Sequence, residues 1–341
     1  LLLKCVIIGC GRIGCEFDDK PIKNIIRTHA LGYFKNNKTE LVALCDIVKQ
    51  KLQKYGRKYK VKNLYTDSLE MLKNEKLDCL SICTLSNTHL DIVKQAAKSG
   101  VKGIIIEKPI TNSLEDAKKI IEICEKKKIK LAVNHQRRFQ MSYHKIAKLV
   151  KNNKFHPIQH VNIIYAGGIA NTGSHLFDLL RLLFGEVKQI SGKFSKNISQ
   201  NKEDPNIDLT INFRNGVQVT LNAINSKNYV LTEMDIVGNY HRLIVDLVLN
   251  NNKIFVNLLN NQNFKQLKES KNKIKFQKPS TDISFSINNL VISIIKNKNP
   301  LCTGTDGYKA LECVIASLIS AKTNKVISLP LKKMNHKIQS K

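Results

Sequence analysis

The sequence predicts two fold classes in series, α/β plus α+β: an N-terminal doubly wound parallel sheet, then a C-terminal domain with a large open, mostly antiparallel sheet flanked by helices. Three observations predict it. From residue 1 to about 134, short apolar runs alternate with helical segments, the pattern of a parallel sheet wrapped by crossover helices. Beyond about 135, period-two segments bounded by Asn, Gly and Ser turns take over. At 341 residues and 42% hydrophobic, the chain can bury a core in each of two domains. The boundaries read as 1–134 and 135–330, with 331–341 a basic tail.

In the first domain the apolar runs place strands at 4–8, 40–45, 79–84, 103–106 and 130–133. Helices are expected at 67–74, opening on the cap Asp67; at 89–98, stopping before Gly100; and at 113–127, capped by Ser113 with Glu115 and Asp116 in the first turn, where negative charge is favoured. In the second domain a helix at 173–183 precedes strands such as 208–213, 217–222 and 230–237. The stretch 250–275 is rich in Asn, Lys and Gln but keeps apolar alternation at Ile254, Val256 and Leu258, so it reads as strands with long polar turns. Helices at 283–296 and 306–323 and a closing strand at 326–331 complete the pattern. No internal repeat is visible.

Composition narrows the function classes. The net charge of +29 is carried by lysines spread through nearly every expected helix, with no Trp and no basic-aromatic stripe, so it reads as compositional bias and not as a nucleic-acid footprint. Its residual field still attracts small anionic substrates. The nine cysteines are an odd set without a C-x-x-C pair, several of them in apolar runs, which is the usage of a reducing compartment. The even spacing of Cys5, Cys10 and Cys15 does not make a metal site, because zinc wants four ligands at tighter paired spacings, and no metal is expected. No run approaches the roughly 20 apolar residues of a membrane helix. The opening apolar run is too short for a signal segment and leads straight into a glycine turn. The expectation is a soluble cytoplasmic protein with no membrane partner.

That turn, Gly9-Cys10-Gly11-Arg12-Ile13-Gly14, is the first functional motif. A lone G-x-G-x-x-G is weak, so context decides. A buried strand runs into Gly9, Gly11 would let the backbone approach a pyrophosphate, and Gly14 would let a helix pack closely with its N-terminal amides toward the phosphates. The next strand ends in Asp46, where a carboxylate binds a ribose 2′-hydroxyl and repels a 2′-phosphate. NAD is therefore expected over NADP, with Lys49 and Lys51 close enough to keep NADP as the weaker alternative. Asp46 lies well past the position about 20 residues into the motif where such a carboxylate stands. An insertion is implied at 15–27, beginning with Glu16, Phe17, Asp18 and Asp19, and a loop near the cofactor or substrate mouth is expected there.

Two further segments could carry chemistry. Glu107-Lys108-Pro109 follows the 103–106 strand at the carboxyl edge, where doubly wound sheets bind ligands. Oxidising a secondary alcohol requires its hydroxyl proton to leave as the C–H bond breaks, so a nearby Lys or His of suitable pKa is needed. Pro109 would fix the backbone so that Lys108 points inward; the alternative is a solvated surface lysine. The second segment runs from Ala170 and Asn171 through Gly173-Ser174-His175 to Asp178. His175 falls in a first helical turn, where helix-end amides favour the neutral imidazole, and Asp178 can lie on the same face and orient it. The alternative is a structural His paired with Asp178. His89, His135 and Arg137 also stand at strand ends, the first two as packing or cofactor-edge groups.

Together these motifs resemble the glucose-fructose oxidoreductase and inositol dehydrogenase family, written Gfo/Idh/MocA. The resemblance rests on the glycine turn, Asp46, Thr84-Leu85-Ser86-Asn87-Thr88-His89, Glu107-Lys108-Pro109, Asn134-His135-Gln136-Arg137-Arg138-Phe139, Gly173-Ser174-His175 with Asp178, and the segment 316–330. It implies a Rossmann domain joined to an open sheet that often forms homodimers or homotetramers through its outer face. It also implies roles. Lys108 holds the reacting hydroxyl, His175 accepts or donates the proton, and Arg137 and Asn171 line the substrate. Gly9, Gly11, Arg12, Ile13, Gly14, Asp46, Thr84, Ser86, Asn87, His89, Glu107 and Lys108 surround the cofactor.

Three departures matter. Asn171 stands where many members carry an Asp four residues before the His, Leu85 replaces the usual Pro, and the insertion after Gly14 is extra. An amide cannot ionise, so Asn171 shifts weight from inositol-type chemistry toward keto-sugar reduction or nucleotide-sugar oxidation, with Lys108 carrying more of the proton work. The expected activity is NAD-dependent hydride transfer at a ring carbon of a sugar, amino sugar, nucleotide sugar or polyol. Epimerisation or elimination through transient oxidation is one alternative, and a non-catalytic NAD-binding sensor is another.

Overall fold

The computed structural model describes residues 2–152, 155–257, 266–276 and 281–339. In chain order the first elements are β1 (Leu3–Ile8), α1 (His29–Lys35), β2 (Thr39–Cys45), α2 (Lys49–Tyr59), β3 (Asn63–Tyr65), α3 (Ser68–Asn74), β4 (Cys79–Ile82), α4 (His89–Ala96), β5 (Gly103–Ile106), α5 (Leu114–Lys126) and β6 (Lys130–Val133). Then come α6 (Met141–Val150), β7 (Ile158–Tyr165), α7 (Ser174–Phe184), β8 (Val187–Phe194), β9 (Ile207–Phe213), β10 (Gln218–Ala223), β11 (Glu233–Gly238) and β12 (His241–Asp246). β13 (Asn251–Asn257), β14 (Leu267–Glu269), α8 (Ser284–Ile295), α9 (Gly304–Thr323) and β15 (Ile327–Ser328) close the order. The chain divides into two compact units, one of residues 1–139, 281–309 and 335–341, the other of 140–280 and 310–334.

The first unit is a parallel sheet in the order β3-β2-β1-β4-β5-β6. β4 and β5 are buried at every position, which is why they read as unbroken apolar runs and not as alternation. Gly103 opens β5 because α8 lies against it: a Cβ there would stand 2.5 Å from Ile294. The helix caps foreseen in the sequence form, with Asp67 accepting from the Glu70 N–H at 2.8 Å and Ser113 from the Asp116 N–H at 3.1 Å. Strand order reverses between β1 and β4, and the crevice beyond their carboxyl ends is the ligand position of such sheets.

The insertion leaves and rejoins this frame at defined points. After Gly14 the chain makes a 3₁₀ turn at Glu16–Asp19 and returns at Thr28, whose hydroxyl caps α1 by accepting from the Leu31 N–H at 3.2 Å. The helix expected to start at Gly14 is therefore split. Its continuation begins at His29, whose N–H donates to the Ile13 carbonyl at 3.1 Å, while the Ala30 N–H donates to Gly14 at 3.0 Å. Those two bonds bypass the insertion. Its acidic residues serve structure. Buried Asp18 accepts from the Arg27 N–H and, at 2.7 Å, from the Thr28 hydroxyl, and Asp19 accepts from Lys54 at 2.6 Å, Lys58 at 2.9 Å and the Tyr55 hydroxyl at 2.7 Å, all on α2.

The second unit is a nine-stranded sheet in the order β14-β13-β12-β11-β7-β10-β9-β8-β15. Every pairing is antiparallel except β10 with β7. β9 is buried at alternate positions, with Ile207, Leu209, Ile211 and Phe213 on the core side. The other face is polar and internally bonded: Thr220 and Asn222 donate to Asn162 at 3.0 and 2.8 Å, and Arg242 pairs with Asp235 at 2.7 Å. The strand expected at 326–331 is confined to two residues, because Pro330 has no N–H for a ladder. In the stretch 250–275, β13 and β14 form, and 258–265, with Leu258, lie outside the described residues.

The docked insertion gives a pH-dependent prediction. Burial pulls the Asp19 carboxyl upward, but the hydrogen bonds from Lys54, Lys58 and Tyr55 outweigh it and hold the group well below the usual carboxylate range. A depressed folded pKa contributes stability above the unfolded value of about 3.9, lost as pH falls toward the folded value. Asp19→Asn should therefore cost about 1 kcal/mol at neutral pH. Denaturant melts over a pH series should show the gap to the wild type closing below about pH 4, and a gap of constant size would contradict this.

Candidate active site

The site begins at backbone approaches that only glycine permits. At Gly9, with φ +99°, a Cβ would stand 2.7 Å from the carbonyl carbon and oxygen of Cys83, and at Gly14 it would stand 2.0 Å from the Gly9 carbonyl oxygen. Gly11 differs: a Cβ there would meet no protein atom within 4 Å. The chain's own packing does not demand this glycine. The space beside it is where the motif brings backbone against a pyrophosphate, so the turn fits a dinucleotide.

Asp46 follows β2 beside that turn. Its Oδ2 accepts from the Cys10 N–H at 2.7 Å and its Oδ1 from the Val48 N–H at 2.8 Å, so the carboxylate is fixed while each oxygen retains a lone pair for a ribose hydroxyl. Lys51, one of the two lysines that keep NADP open, is paired at 2.7 Å with Glu16 of the insertion. Arg12 is exposed and lies over the Phe17 ring at 4.9 Å.

Past β4 the chain enters the Thr84 to His89 loop. Thr84 and Thr88 share a hydroxyl contact at 2.7 Å, Ser86 is buried, and Asn87 is exposed on the 3₁₀ turn leading to α4. His89 is 1% exposed, with Nδ1 3.0 Å from the Ile110 carbonyl and Nε2 3.1 Å from the Thr84 carbonyl. Burial lowers its pKa, against the pull of those two carbonyls and of Glu107. The ring ties the loop to the turn after Pro109, so His89 meets backbone on both nitrogens.

Glu107 and Lys108 follow β5, and the Lys108–Pro109 bond is cis. Lys108 is half-buried. The Glu107 Oε1 contacts His29 Nε2 at 3.0 Å and accepts from Asn134 Nδ2 at 2.5 Å. Burial pushes the Glu107 carboxyl up, but His29, Asn134 and the charge of Lys108 outweigh it and hold it below the usual range. Because a carboxylate only accepts, Asn134 must turn its Nδ2 toward Glu107. His135 is buried next to it, and half-buried Arg137 lies on the 3₁₀ turn Gln136–Phe139. The neighbouring Arg138 reaches Asp306 at 3.4 Å.

The second unit presents Asn171 and His175 from a tightly held turn. A π-helical turn at Gly168–Gly173 runs into α7, where His175 is second in the first turn and half-exposed, and Asp178 is buried. Buried Asp204 clamps that turn by accepting from the Ala170 N–H at 2.7 Å and the Asn171 N–H at 2.9 Å, and Asn206 accepts from Gly168 at 3.0 Å. Gly168, φ +86°, is required because a Cβ would stand 2.3 Å from the Asp204 carboxyl. The sequence reading did not single out His29, Asn134 or Asp204 for a role. Each acts through partners distant in the chain, and only Asn134, in the quoted motif, carried a local signal.

Among the described residues no group of three or more His, Cys, Asp or Glu could hold a metal ion, and no helix is long and apolar enough to cross a membrane.

Comparison with known proteins accounts for both units. Residues 3–135 match the model of an oxidoreductase family with an NAD-binding Rossmann fold, and residues 165–329 match that family's C-terminal alpha/beta domain. The myo-inositol 2-dehydrogenase of Thermotoga maritima is 27% identical over 196 residues, 53% of this chain and 54% of that protein. The D-apiose dehydrogenase of Paraburkholderia graminis is 25% identical over 210 residues, 57% of this chain and 52% of that protein. The chain thus spans about half the length of the curated relatives it matches. Among solved structures, the WlbA dehydrogenase of Bordetella pertussis in complex with NADH and UDP-GlcNAcA has the same fold, with a TM-score of 0.78 at 19% identity, covering 97% of this chain and 100% of that one. With a glycine cradle shaped for a dinucleotide and both domain models matched in order, the chain belongs to the Gfo/Idh/MocA family of NAD-binding oxidoreductases.

Proposed function

We propose that this chain transfers a hydride between NAD and a ring carbon of a sugar, amino sugar, nucleotide sugar or polyol. The observation that carries the reading is Glu107-Lys108 at the carboxyl edge of the parallel sheet, with Glu107 pinned by two buried donors, on the same unit as the open cradle at Gly11. The relatives named for inositol and apiose, and the fold shared with a UDP-sugar enzyme, support the substrate class.

NAD bound at the glycine turn would accept or return the hydride. The chain's part is to bind, orient and move a proton. Lys108 holds the reacting hydroxyl and takes its proton as the C–H bond breaks, or returns it in the reverse direction. His175 is the second proton acceptor or donor, and Arg137 and Asn171 bind the substrate's polar groups. Arg12, Ile13, Thr84, Ser86 and Asn87 contact the cofactor, and His89 holds their loop in place. Asn171 cannot ionise as a partner for His175, so Lys108 carries the larger share of the proton work, which favours keto-sugar reduction or nucleotide-sugar oxidation. The same residue motivates a second reading, an NAD-binding sensor without turnover. NAD is preferred to NADP because Asp46 would repel a 2′-phosphate while Glu16 occupies Lys51. Nine free thiols, eight of them buried, suit the reducing cytoplasm, and we take the working form to be a homodimer or homotetramer.

A panel of free and nucleotide-linked sugars, read by NADH absorbance, should reveal turnover that Lys108→Met lowers by about 10²–10⁴-fold while NAD affinity is retained. Full turnover in Lys108→Met would overturn the assignment, and NAD binding with no turnover across the panel would favour the sensor. Gly11→Ala should keep the wild-type melting midpoint, its Cβ having no protein atom within 4 Å, and weaken NAD binding in calorimetry at least about tenfold, or about 1.4 kcal/mol. Unchanged affinity would remove the cradle from the account. Glu16→Gln releases Lys51, so the ratio of kcat/KM for NADP to that for NAD should rise about threefold, on the scale of one exposed charge pair. An unchanged ratio would show that Lys51 has no part in selectivity.

A further inference from the structure

His29 is the buried histidine that meets Glu107. Its ring is 0% exposed, and it lies on the far side of the insertion from the glycine turn. Yet α1 returns to that turn through the Ile13 and Gly14 carbonyls, so the intervening segment is looped out and His29 is set under the sheet edge.

Both ring nitrogens are engaged. Nδ1 lies 2.8 Å from the Ser81 hydroxyl, which lies 2.9 Å from the Tyr33 hydroxyl, and Nε2 lies 3.0 Å from Glu107. This makes a chain, Tyr33–Ser81–His29–Glu107, buried at its first three members and part-buried at Glu107, drawn from α1, β4 and the residue after β5. Two proton arrangements satisfy every link with the heavy atoms in the same positions. With a neutral imidazole, Tyr33 donates to Ser81, Ser81 to Nδ1, and Nε2–H to Glu107. With an imidazolium, Nδ1–H donates to Ser81, which turns its proton to Tyr33, and Nε2–H still donates to Glu107. In both, Glu107 is a carboxylate held by two donors, His29 and Asn134.

We propose that His29 is a positioning residue that keeps the part-buried Glu107 ionised and fixed, and through that carboxylate sets the charge state of Lys108. The proposal rests on the reading of Lys108 as the proton-handling group. Without the Nε2–H, the Glu107 Oε1 keeps only the Asn134 donor in a mostly buried setting, where losing a donor disfavours the carboxylate relative to the neutral acid. Lys108 then loses an adjacent negative charge and gives up its own proton more readily. Two further titratable groups feel Glu107: Cys83, whose thiol burial pushes up, and His89, whose pKa burial lowers, and neither supplies a replacement charge. Tyr33, raised well above its ordinary value by burial and by Cys5 and Cys79, stays a neutral donor.

The test needs no substrate. Lys108 in the cofactor-free protein is acetylated with limiting acetic anhydride across a pH series, and its peptide is quantified by mass spectrometry to give the midpoint of its titration. His29→Leu and Glu107→Gln should each lower that midpoint by about 1 unit, and the double variant should lower it no further, because both act through one carboxylate. His29→Gln, which keeps an amide donor toward Glu107, should stay near the wild-type midpoint. If melting shows His29→Leu to be unfolded, the shorter His29→Asn takes its place with the same expected shift. A folded His29→Leu or His29→Asn with the wild-type midpoint, or additive shifts in the double variant, would overturn the proposal. Because the readout is independent of turnover, failure of the dehydrogenase reading would appear in the sugar panel and failure of this inference in the labelling.

Discussion

The nucleotide side of this protein depends on two pieces of backbone approaching closer than any side chain allows. Gly14 lies against the Gly9 carbonyl, and Gly9 against the Cys83 peptide, so the end of β1 is locked to the end of β4 at the point where strand order reverses. The cofactor side of the first unit hangs from that junction. Asp46 reaches it through the Cys10 N–H, the Thr84 loop leaves from it, and α1 returns to it across the insertion. The constraint also explains how an insertion of this length is tolerated. A segment that exits after Gly14 and re-enters by bonding to Ile13 and Gly14 leaves the turn's geometry intact, and the excursion is stabilised on α2 by Asp19 and beside Thr28 by Asp18.

Each unit fixes the backbone beside a candidate site residue with a carboxylate, part-buried in the first unit and buried in the second. In the first, Glu107, next in sequence to Lys108, gathers His29 and Asn134. In the second, Asp204 gathers the Ala170 and Asn171 amides so that the π turn feeds into the first turn of α7, where His175 stands. A buried carboxylate is costly unless its lone pairs are met. A loss of donors therefore favours protonation or movement of the carboxylate.

Much of the frame was legible in the sequence. Strands buried on both faces, β1, β4, β5 and β6, announce themselves as apolar runs, and Asp67 and Ser113 mark their helices because capping is a local interaction. The glycine turn after β1 and the positions of Asp46 and Glu107-Lys108 directly after β2 and β5 were legible for the same reason. What escaped had no local period. α2 is lysine-rich, with a narrow buried stripe of Leu52, Tyr55 and Tyr59, and α1 is short and starts where an insertion ends. The 326–331 strand ended early at a proline, and β10 pairs parallel with β7 across a long connection that no pattern in either strand encodes. The contributions of His29 and Asp204 arise only when distant segments meet, which a periodicity reading does not see.

The claim on which these parts converge is that hydride passes directly between a substrate carbon and NAD while side chains of this protein manage the proton. The most direct measurement uses a sugar that supports turnover, deuterated at the reacting carbon, with mass analysis of the NADH recovered afterward. The account predicts that the nicotinamide ring carries the deuterium and that none is lost to water. Deuterium released to solvent, with no labelled NADH, would contradict it.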